Sequence, residues 1–232
     1  MPKISKKIKQ IKKEINLHKE YTINSALNLL KKFQSTKFTE SVDVSIHLGI
    51  NPKKTDQNIR GSTILPNGTG KKIKIAVFTQ GENIKIAKKY GAEIAGGAEI
   101  IHYFKNKKKI FDIIISSPDT MHIVSKLGPI LGPKGLMPNP KTGTITSNIK
   151  EAVKNAKKGQ ITYKNDKNGI LNTAIGKINF TNQQLKENII QLLIELKKLK
   201  PSTSKGIFIK KLILSTTMGC GIIIKINSIY ET

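Results

Sequence analysis

Apolar residues mark out the elements of this chain before composition is considered. Ile4, Ile8, Ile11 and Ile15 recur at the spacing of one helix face with lysines between them, so residues 3–17 read as an amphipathic helix. A second helix is predicted over about 24–34, with Asn24 or Ser25 as its cap and Ala26, Leu27, Leu30 and Phe33 as its buried face. Val42, Val44, Ile46, Leu48 and Ile50 then alternate with Ser41, Asp43, Ser45, His47 and Gly49. A strict period of two predicts a strand with one buried face and one small, polar face. The segment NPKKTDQNIRG turns the chain, and Gly61–Leu65 is expected to run back beside that strand.

The pattern changes after Leu65. Ile73–Thr79 and Phe111–Ser116 are short, nearly continuous apolar runs, as expected of strands covered on both faces. Helical patterns lie between and after them, at about 82–90, 98–106, 119–127 and 147–157, and this alternation predicts right-handed βαβ units. Within this region Leu127 to Thr144 reads LGPILGPKGLMPNPKTGT. Its glycines and prolines exclude a helix interior or a central strand. Leu127, Ile130, Leu131, Leu136 and Met137 are too apolar for a solvated linker, so the stretch reads either as a stiff loop whose shape serves a contact or as a rigid connection packed on its own domain. Beyond it, Gln160–Lys164 and Gly169–Phe180 read as hairpin-like strands about a turn at 165–169, followed by a helix at about 182–199 that stops before Pro201. Two last strands, Ile207–Thr216 and Gly221–Ile226, flank Thr217-Met218-Gly219.

The outer segments resemble each other and the middle differs, which predicts an α/β protein of two domains. Residues 1–66 and 159–232 form a discontinuous α+β domain, interrupted by an inserted three-layer α/β (Rossmann-like) domain at 67–158. Two chain crossings at neighbouring points are expected to act as a hinge.

Charge adds a partner. With 41 Lys+Arg against 15 Asp+Glu, the net charge of +26 favours a polyanion. A lysine-, isoleucine- and asparagine-rich composition also follows from an A+T-biased genome, so the charge is discounted. The outer pieces carry 24 basic and 9 acidic residues and the middle 17 and 6, so bulk charge does not choose between them. Cys220 is the single cysteine and His18, His47, His102 and His122 lack ligand spacing, which argues against a disulfide or a structural zinc. No apolar run reaches the roughly 18 residues of a membrane span. MPKISKKIKQIKKEI lacks the apolar core of a signal peptide, so a cytoplasmic location is expected.

An enzyme of the nucleotide-binding type is the alternative that the middle domain raises. The phosphate loops are missing, however. Gln80-Gly81-Glu82 supplies one glycine where a dinucleotide fingerprint needs three, and Gly70-Lys71 is followed by Lys72 instead of Ser or Thr. Asp112, Asp119 and Glu151 are too far apart to argue for paired carboxylates, and no cofactor or catalytic residue is expected. A nonspecific basic DNA-binding protein is a third reading. RNA chemistry has better candidates. Arg60 is the one arginine among forty lysines, able to fork onto phosphate or a base edge or to pair structurally with Asp56. Phe38, between Lys37 and Glu40 at the strand entrance, suits either the core or stacking on a sugar or base. Thr216, Thr217, Met218 and Gly219 offer hydroxyls for ribose, an apolar wedge and close backbone approach, or simply make a turn.

LGPKGLMPNPKTGT closely resembles the signature of the large-subunit ribosomal protein one family, the proteins of the ribosome's mobile stalk. TDQNIRG at Thr55–Gly61, LPNGTGK at Leu65–Lys71, AVFTQG at Ala76–Gly81, SPDTM at Ser117–Met121, NDKNG at Asn165–Gly169, IGK at Ile175–Lys177 and TTMG at Thr216–Gly219 follow in the family's order. The resemblance covers about Tyr21 to Ile226 and implies a non-catalytic, RNA-binding ribosomal protein, monomeric within the ribosome. It implies that the outer domain meets stalk large-subunit rRNA through Lys37, Phe38, Glu40, Ser41 and His47 with Thr217, Met218 and Gly219, while Lys164, Asp166 and Lys167 lie near that surface. Two further roles are implied: assisting deacylated tRNA out of the exit site, and repressing translation by binding the protein's own operon mRNA. Asn172 and Cys220 depart from the family's usual residues.

Overall fold

The computed structural model describes residues 11, 14–16, 19–34, 36–105, 111–204 and 206–229. The chain divides into two compact units, Met1–Gly70 with Ile161–Thr232, and Lys71–Gln160. Both are mixed α/β assemblies.

The first unit is built on a four-stranded antiparallel sheet in the order β7-β1-β8-β9. Its strands are β1 (Ser41–Leu48), β7 (Ile170–Lys177), β8 (Ile209–Thr216) and β9 (Ile222–Ile224). The alternation read from the sequence holds along β1, where Val42, Val44, Ile46 and Leu48 are buried and the residues between them are half-buried. Against the buried face pack α1 (Ile23–Lys32) and α7 (Asn182–Lys198), through Ile23, Leu27 and Leu30 of one and Leu185, Ile189, Leu192 and Leu196 of the other. α7 begins at a reciprocal cap. The Gln184 amide N–H donates to Thr181 Oγ1 at 3.2 Å, and the Thr181 N–H donates to Gln184 Oε1 at 3.0 Å.

Several expectations need adjusting. α1 starts one residue earlier than predicted, with Thr22 at its cap position and the Thr22 hydroxyl donating to Ser25 Oγ at 2.8 Å. The helix expected over 3–17 lies mostly outside the described residues. Of its apolar face, Ile11 and Ile15 belong to the core of this unit, and the Ile15 N–H donates to the Ile11 carbonyl at 2.8 Å. β2 (Arg60–Ile64) does not run back beside β1; it pairs with β6 (Gln160–Lys164) in a separate two-stranded sheet. The same pairing separates β6 from β7, which meet only at an Asn165–Leu171 bridge instead of forming a hairpin ladder. Strand periodicity defines which face is buried but carries no information about which distant strand supplies the partner.

Two buried asparagines fasten these loops. Asn188, within α7 and fully buried, accepts from the Asn67 N–H at 3.1 Å and donates to the Gly68 and Ile175 carbonyls at 3.0 and 2.8 Å. Asn165 accepts from the Ile59 N–H at 2.7 Å and donates to Asn58 Oδ1 at 3.1 Å. Both are cases of a buried polar group retained because its hydrogen bonds are made.

The second unit has a three-stranded parallel sheet in the order β4-β3-β5, formed by β4 (Ile94–Gly96), β3 (Ile75–Phe78) and β5 (Ile113–Ser116). Central β3 is buried throughout, as its continuous apolar run requires. Ile75, Val77 and Ile115 face α2 (Asn83–Lys89) and α6 (Ile149–Lys158). Ala76, Phe78 and Ile114 face the short helices α3 (Ile101–Lys105), α4 (Met121–Ser125) and α5 (Gly128–Leu131). This is the expected three-layer arrangement. α5 lies inside the Gly- and Pro-rich stretch, which was not expected to hold helix; it is a single turn with Pro129 at its start, where a missing N–H costs nothing. Leu127 and Leu131 are buried beneath it, and the Asn139 N–H donates to Thr144 Oγ1 at 2.7 Å, so the stretch is a packed, internally bonded loop.

Candidate nucleic-acid interface

The second face of the β7-β1-β8-β9 sheet carries Ser41, Asp43, Ser45 and His47, and the described helices of this unit pack on the other face. Register decides what joins these residues. Ser41 lies opposite Lys177, Asp43 opposite Ala174 and Ser215, Ser45 opposite Asn172 and Ile213, and His47 opposite Ile170 and Lys211. A bulge between Val42 and Asp43 skips Ile175, which turns inward to the core.

At the Ser41 end, sequence-distant segments are tied together. The Ser41 N–H donates to Thr217 Oγ1 at 3.1 Å, and the Thr217 N–H donates back to the Ser41 carbonyl at 3.2 Å. Lys177 Nζ donates to Ser41 Oγ at 2.9 Å. The Thr217 hydroxyl accepts from the Ser41 N–H and donates back toward the Ser41 carbonyl at 3.5 Å, while its exposed oxygen keeps a lone pair for an outside donor such as a ribose hydroxyl. Two large apolar side chains flank this junction in the open: Phe38 is 52% exposed and Met218 59%. Lys37 is exposed beside Phe38. The Thr36 hydroxyl donates to the Phe38 carbonyl at 2.9 Å and steadies this approach to the strand. Exposed aromatic and thioether groups beside hydroxyls and an ammonium match what a ribose–phosphate surface offers.

Other predicted residues are placed differently. Glu40 is fully buried, so its carboxylate does not present itself at the surface, while its carbonyl accepts from the Ile178 N–H at 3.1 Å. Thr216 is also buried, leaving Thr217 as the hydroxyl available outside. Gly219 does not need a left-handed backbone, but a Cβ there would lie 2.3 Å from Thr216 Oγ1, so its first constraint is the turn itself. His47 is six residues along β1 from Ser41, about 20 Å at ordinary strand rise.

That far end forms a second group. Asp166, Lys167 and Lys164 are exposed there, and the Lys167 N–H donates to Asp166 Oδ1 at 2.7 Å. Asn165 joins this turn to residues 58–59 just before half-buried Arg60. Among the described residues the Arg60 guanidinium makes no ion pair, so the structural pairing with Asp56 is not formed. The resemblance set Lys164, Asp166 and Lys167 near the surface that Ser41, His47 and the turn at 217–219 share; the register puts Asp166 and Lys167 at its His47 end, where His47 lies opposite Ile170 and the Asp166 N–H donates to the Ile170 carbonyl at 2.8 Å.

Asp43, between the two ends, was not among the candidate residues. Burial on the sheet pushes its carboxyl above the usual 3.8, and the Lys177 charge partly opposes this. Its signal was present in the alternation of β1. Lys177 lay in the IGK motif, but only the register reveals that it reaches Ser41.

The nucleotide alternative can be judged at the carboxyl ends of β3 and β5. There the Thr120 hydroxyl donates to the Phe78 carbonyl at 2.9 Å and lies 3.1 Å from both Ser116 Oγ and Ser117 Oγ. All three residues are buried, so the protein's own hydroxyls occupy the place where such folds bind ligands. Among the described residues no group of three or more His, Cys, Asp or Glu side chains is placed to hold a metal ion, and no helix is long and apolar enough to cross a membrane.

Comparison with known proteins agrees with the motif resemblance. The model of the Ribosomal protein L1p/L10e family matches residues 30–220. The large ribosomal subunit protein uL1 of Pasteurella multocida is 55% identical over 224 residues, covering 97% of this chain and 98% of that protein. Its counterpart in Pseudoalteromonas translucida is 51% identical over 232 residues, covering 100% and 99%. That of Haemophilus influenzae strain PittEE is 55% identical over 222 residues, covering 96% and 97%. With a match spanning most of the sequence and relatives of this identity aligned almost end to end, the chain belongs to the Ribosomal protein L1p/L10e family.

Proposed function

We propose that this chain is a non-catalytic constituent of the large ribosomal subunit, in the cytoplasm, and that the Ser41 end of its first unit binds stalk rRNA. The observation that carries the reading is the junction at Ser41. Strand β1, the turn after β8 and the end of β7 bring Ser41, Thr217 and Lys177 within hydrogen-bonding distance, with Phe38 and Met218 exposed beside them. This surface is apolar and hydroxyl-bearing with few cations, so it reads RNA shape through fit and 2′-hydroxyl contacts more than through charge. Residues 1–70 and 161–232 hold all of its parts, so we assign stalk-rRNA recognition to that unit alone.

The second group, Arg60 with Lys164, Asp166 and Lys167, sits at the other end of the sheet and extends the footprint along the RNA. The family resemblance supports two finer roles, assisting exit-site tRNA to leave and repressing translation from the protein's own operon mRNA. The same surface serves the mRNA role if that message presents the fold of the stalk RNA. Cosedimentation with large subunits, followed by chemical footprinting of the rRNA, tests the reading. It predicts stoichiometric binding with protection confined to the stalk, and protection elsewhere would contradict it.

A further inference from the structure

The segment by which the chain leaves the first unit is built into the support of the Ser41 surface. Asn67 is held by α7: its N–H donates to Asn188 Oδ1, and its Nδ2 donates to the Gln184 carbonyl and to Glu187 Oε2 at 3.3 and 2.8 Å. Asn188 Nδ2 in turn donates to the Gly68 carbonyl and to the Ile175 carbonyl. Ile175 is the residue skipped in the β1–β7 register, and the asparagine ties it to the departing chain.

Gly70, the last residue of this unit, continues that support. Its φ is 68°, and a Cβ there would lie 3.0 Å from Phe180 Cε1 and 3.1 Å from Lys177 Cγ. Glycine is required twice, by the left-handed backbone and by the close approach. Phe180 is itself fixed, since its N–H donates to the Lys177 carbonyl at 3.0 Å and its carbonyl accepts from Lys31 Nζ at 2.7 Å. Lys177 is half-buried, with its stem against Gly70 and its ammonium on Ser41 Oγ. One side chain therefore spans from the point where the chain leaves the unit to the junction at Ser41.

Beyond Gly70 the chain is fastened within the second unit. Lys71 Nζ and the Lys74 N–H both donate to the Asp112 carboxylate, and the Asp112 N–H donates to the Lys74 carbonyl at 2.9 Å. With Gly68 and Lys74 held on either side, backbone rotation falls on residues 69–73. The one with the freest backbone, Gly70, is the one that touches Lys177.

We infer that Gly70 and Lys177 are positioning residues for the Ser41 surface, so that the backbone of residues 69–73 and the binding of stalk rRNA are linked. The inference rests on the reading of the Ser41 end as the rRNA site. RNA seated on Ser41 and Thr217 holds the Lys177 ammonium in place, stills its stem and confines Gly70, without touching either residue. Linkage is reciprocal, so a change at Gly70 alters affinity at Ser41.

Hydrogen exchange of the full chain, free and saturated with a stalk rRNA fragment, tests the link. Bound RNA should slow exchange at the amides of residues 69–73 by about fivefold. Lys177→Met keeps the bulk of the stem and removes the bond to Ser41. At saturating RNA it should lose that protection while residues 38–41 and 216–219 stay protected. Ser41→Ala breaks the same link from the other side and serves if Lys177→Met does not melt cooperatively. Unchanged exchange at 69–73 in the parent overturns the inference. So does protection there that survives these variants, because the RNA would then cover the segment directly. Affinity gives a second reading: Gly70→Ala should weaken binding by about fivefold in the parent and add nothing in Lys177→Met, and equal losses in both backgrounds overturn the link. Failure of the underlying rRNA reading looks different. Residues 38–41 and 216–219 would then show no protection in the parent, and both conclusions would fall.

Discussion

Thr217 carries the sharpest prediction at the scale of single residues. Its hydroxyl is bonded to Ser41, accepting from the N–H and donating toward the carbonyl at 3.5 Å, and its oxygen keeps a lone pair on the exposed side. Thr217→Val keeps the shape and removes both, so stalk-RNA affinity should fall by about 1–2 kcal/mol while the salt slope stays the same, because no cation is lost. Unchanged affinity in a normally folded variant would reduce the turn to a structural one. Arg60→Lys tests geometry at the other end of the sheet. The guanidinium has no internal ion pair, so the melting temperature should hold, while affinity drops by about 1–3 kcal/mol if a forked contact is lost. Asp43 predicts a pH effect. Burial raises its folded-state pKa above 3.8, with Lys177 opposing, so the folded protein binds this proton more tightly than the unfolded one. The contribution favours folding below the unfolded pKa and is lost as pH rises through the folded value. Asp43→Asn should therefore stabilise the protein near neutral pH, with the advantage disappearing as pH falls toward 4 in thermal melts.

Among elements, β1 was legible in full, because a strict period of two from Val42 to Leu48 admits one assignment of faces. β2 was legible as a strand but not in its partner. Ile59 to Leu65 contains nothing that prefers β6 over β1, and the bonds that tie its entrance to the β6 end come from Asn165, over a hundred residues away. Glu40 shows the opposite limit. A carboxylate beside an aromatic and a lysine at a strand mouth reads as surface, yet the fold buries it completely. Asn188 was invisible for a related reason: an asparagine in an amphipathic helix is read as solvated. Here it binds three backbone groups of the 67–68 turn and β7. Asn188→Ala leaves these buried groups without a partner and should cost about 2–4 kcal/mol in chemical denaturation, whereas Asn182→Ala at the half-buried helix start, where the side chain donates to Asn28 Oδ1, should cost well under that.

For the molecule as a whole, the central claim is that stalk-rRNA recognition belongs to one unit. The hydrophobic core of that unit draws on residues 11–65 and 161–229 and on none between 71 and 160. The cores of the other unit lie entirely within 71–160. Each sheet therefore has the apolar cover it needs without the other. The most direct measurement joins Gly70 to Ile161 through a short glycine linker and compares its binding to a stalk rRNA fragment with that of the full chain, at a single salt concentration. The account predicts a cooperatively melting protein whose affinity lies within about 2 kcal/mol, roughly thirtyfold, of the parent. A fusion that folds but binds more weakly than this would contradict it.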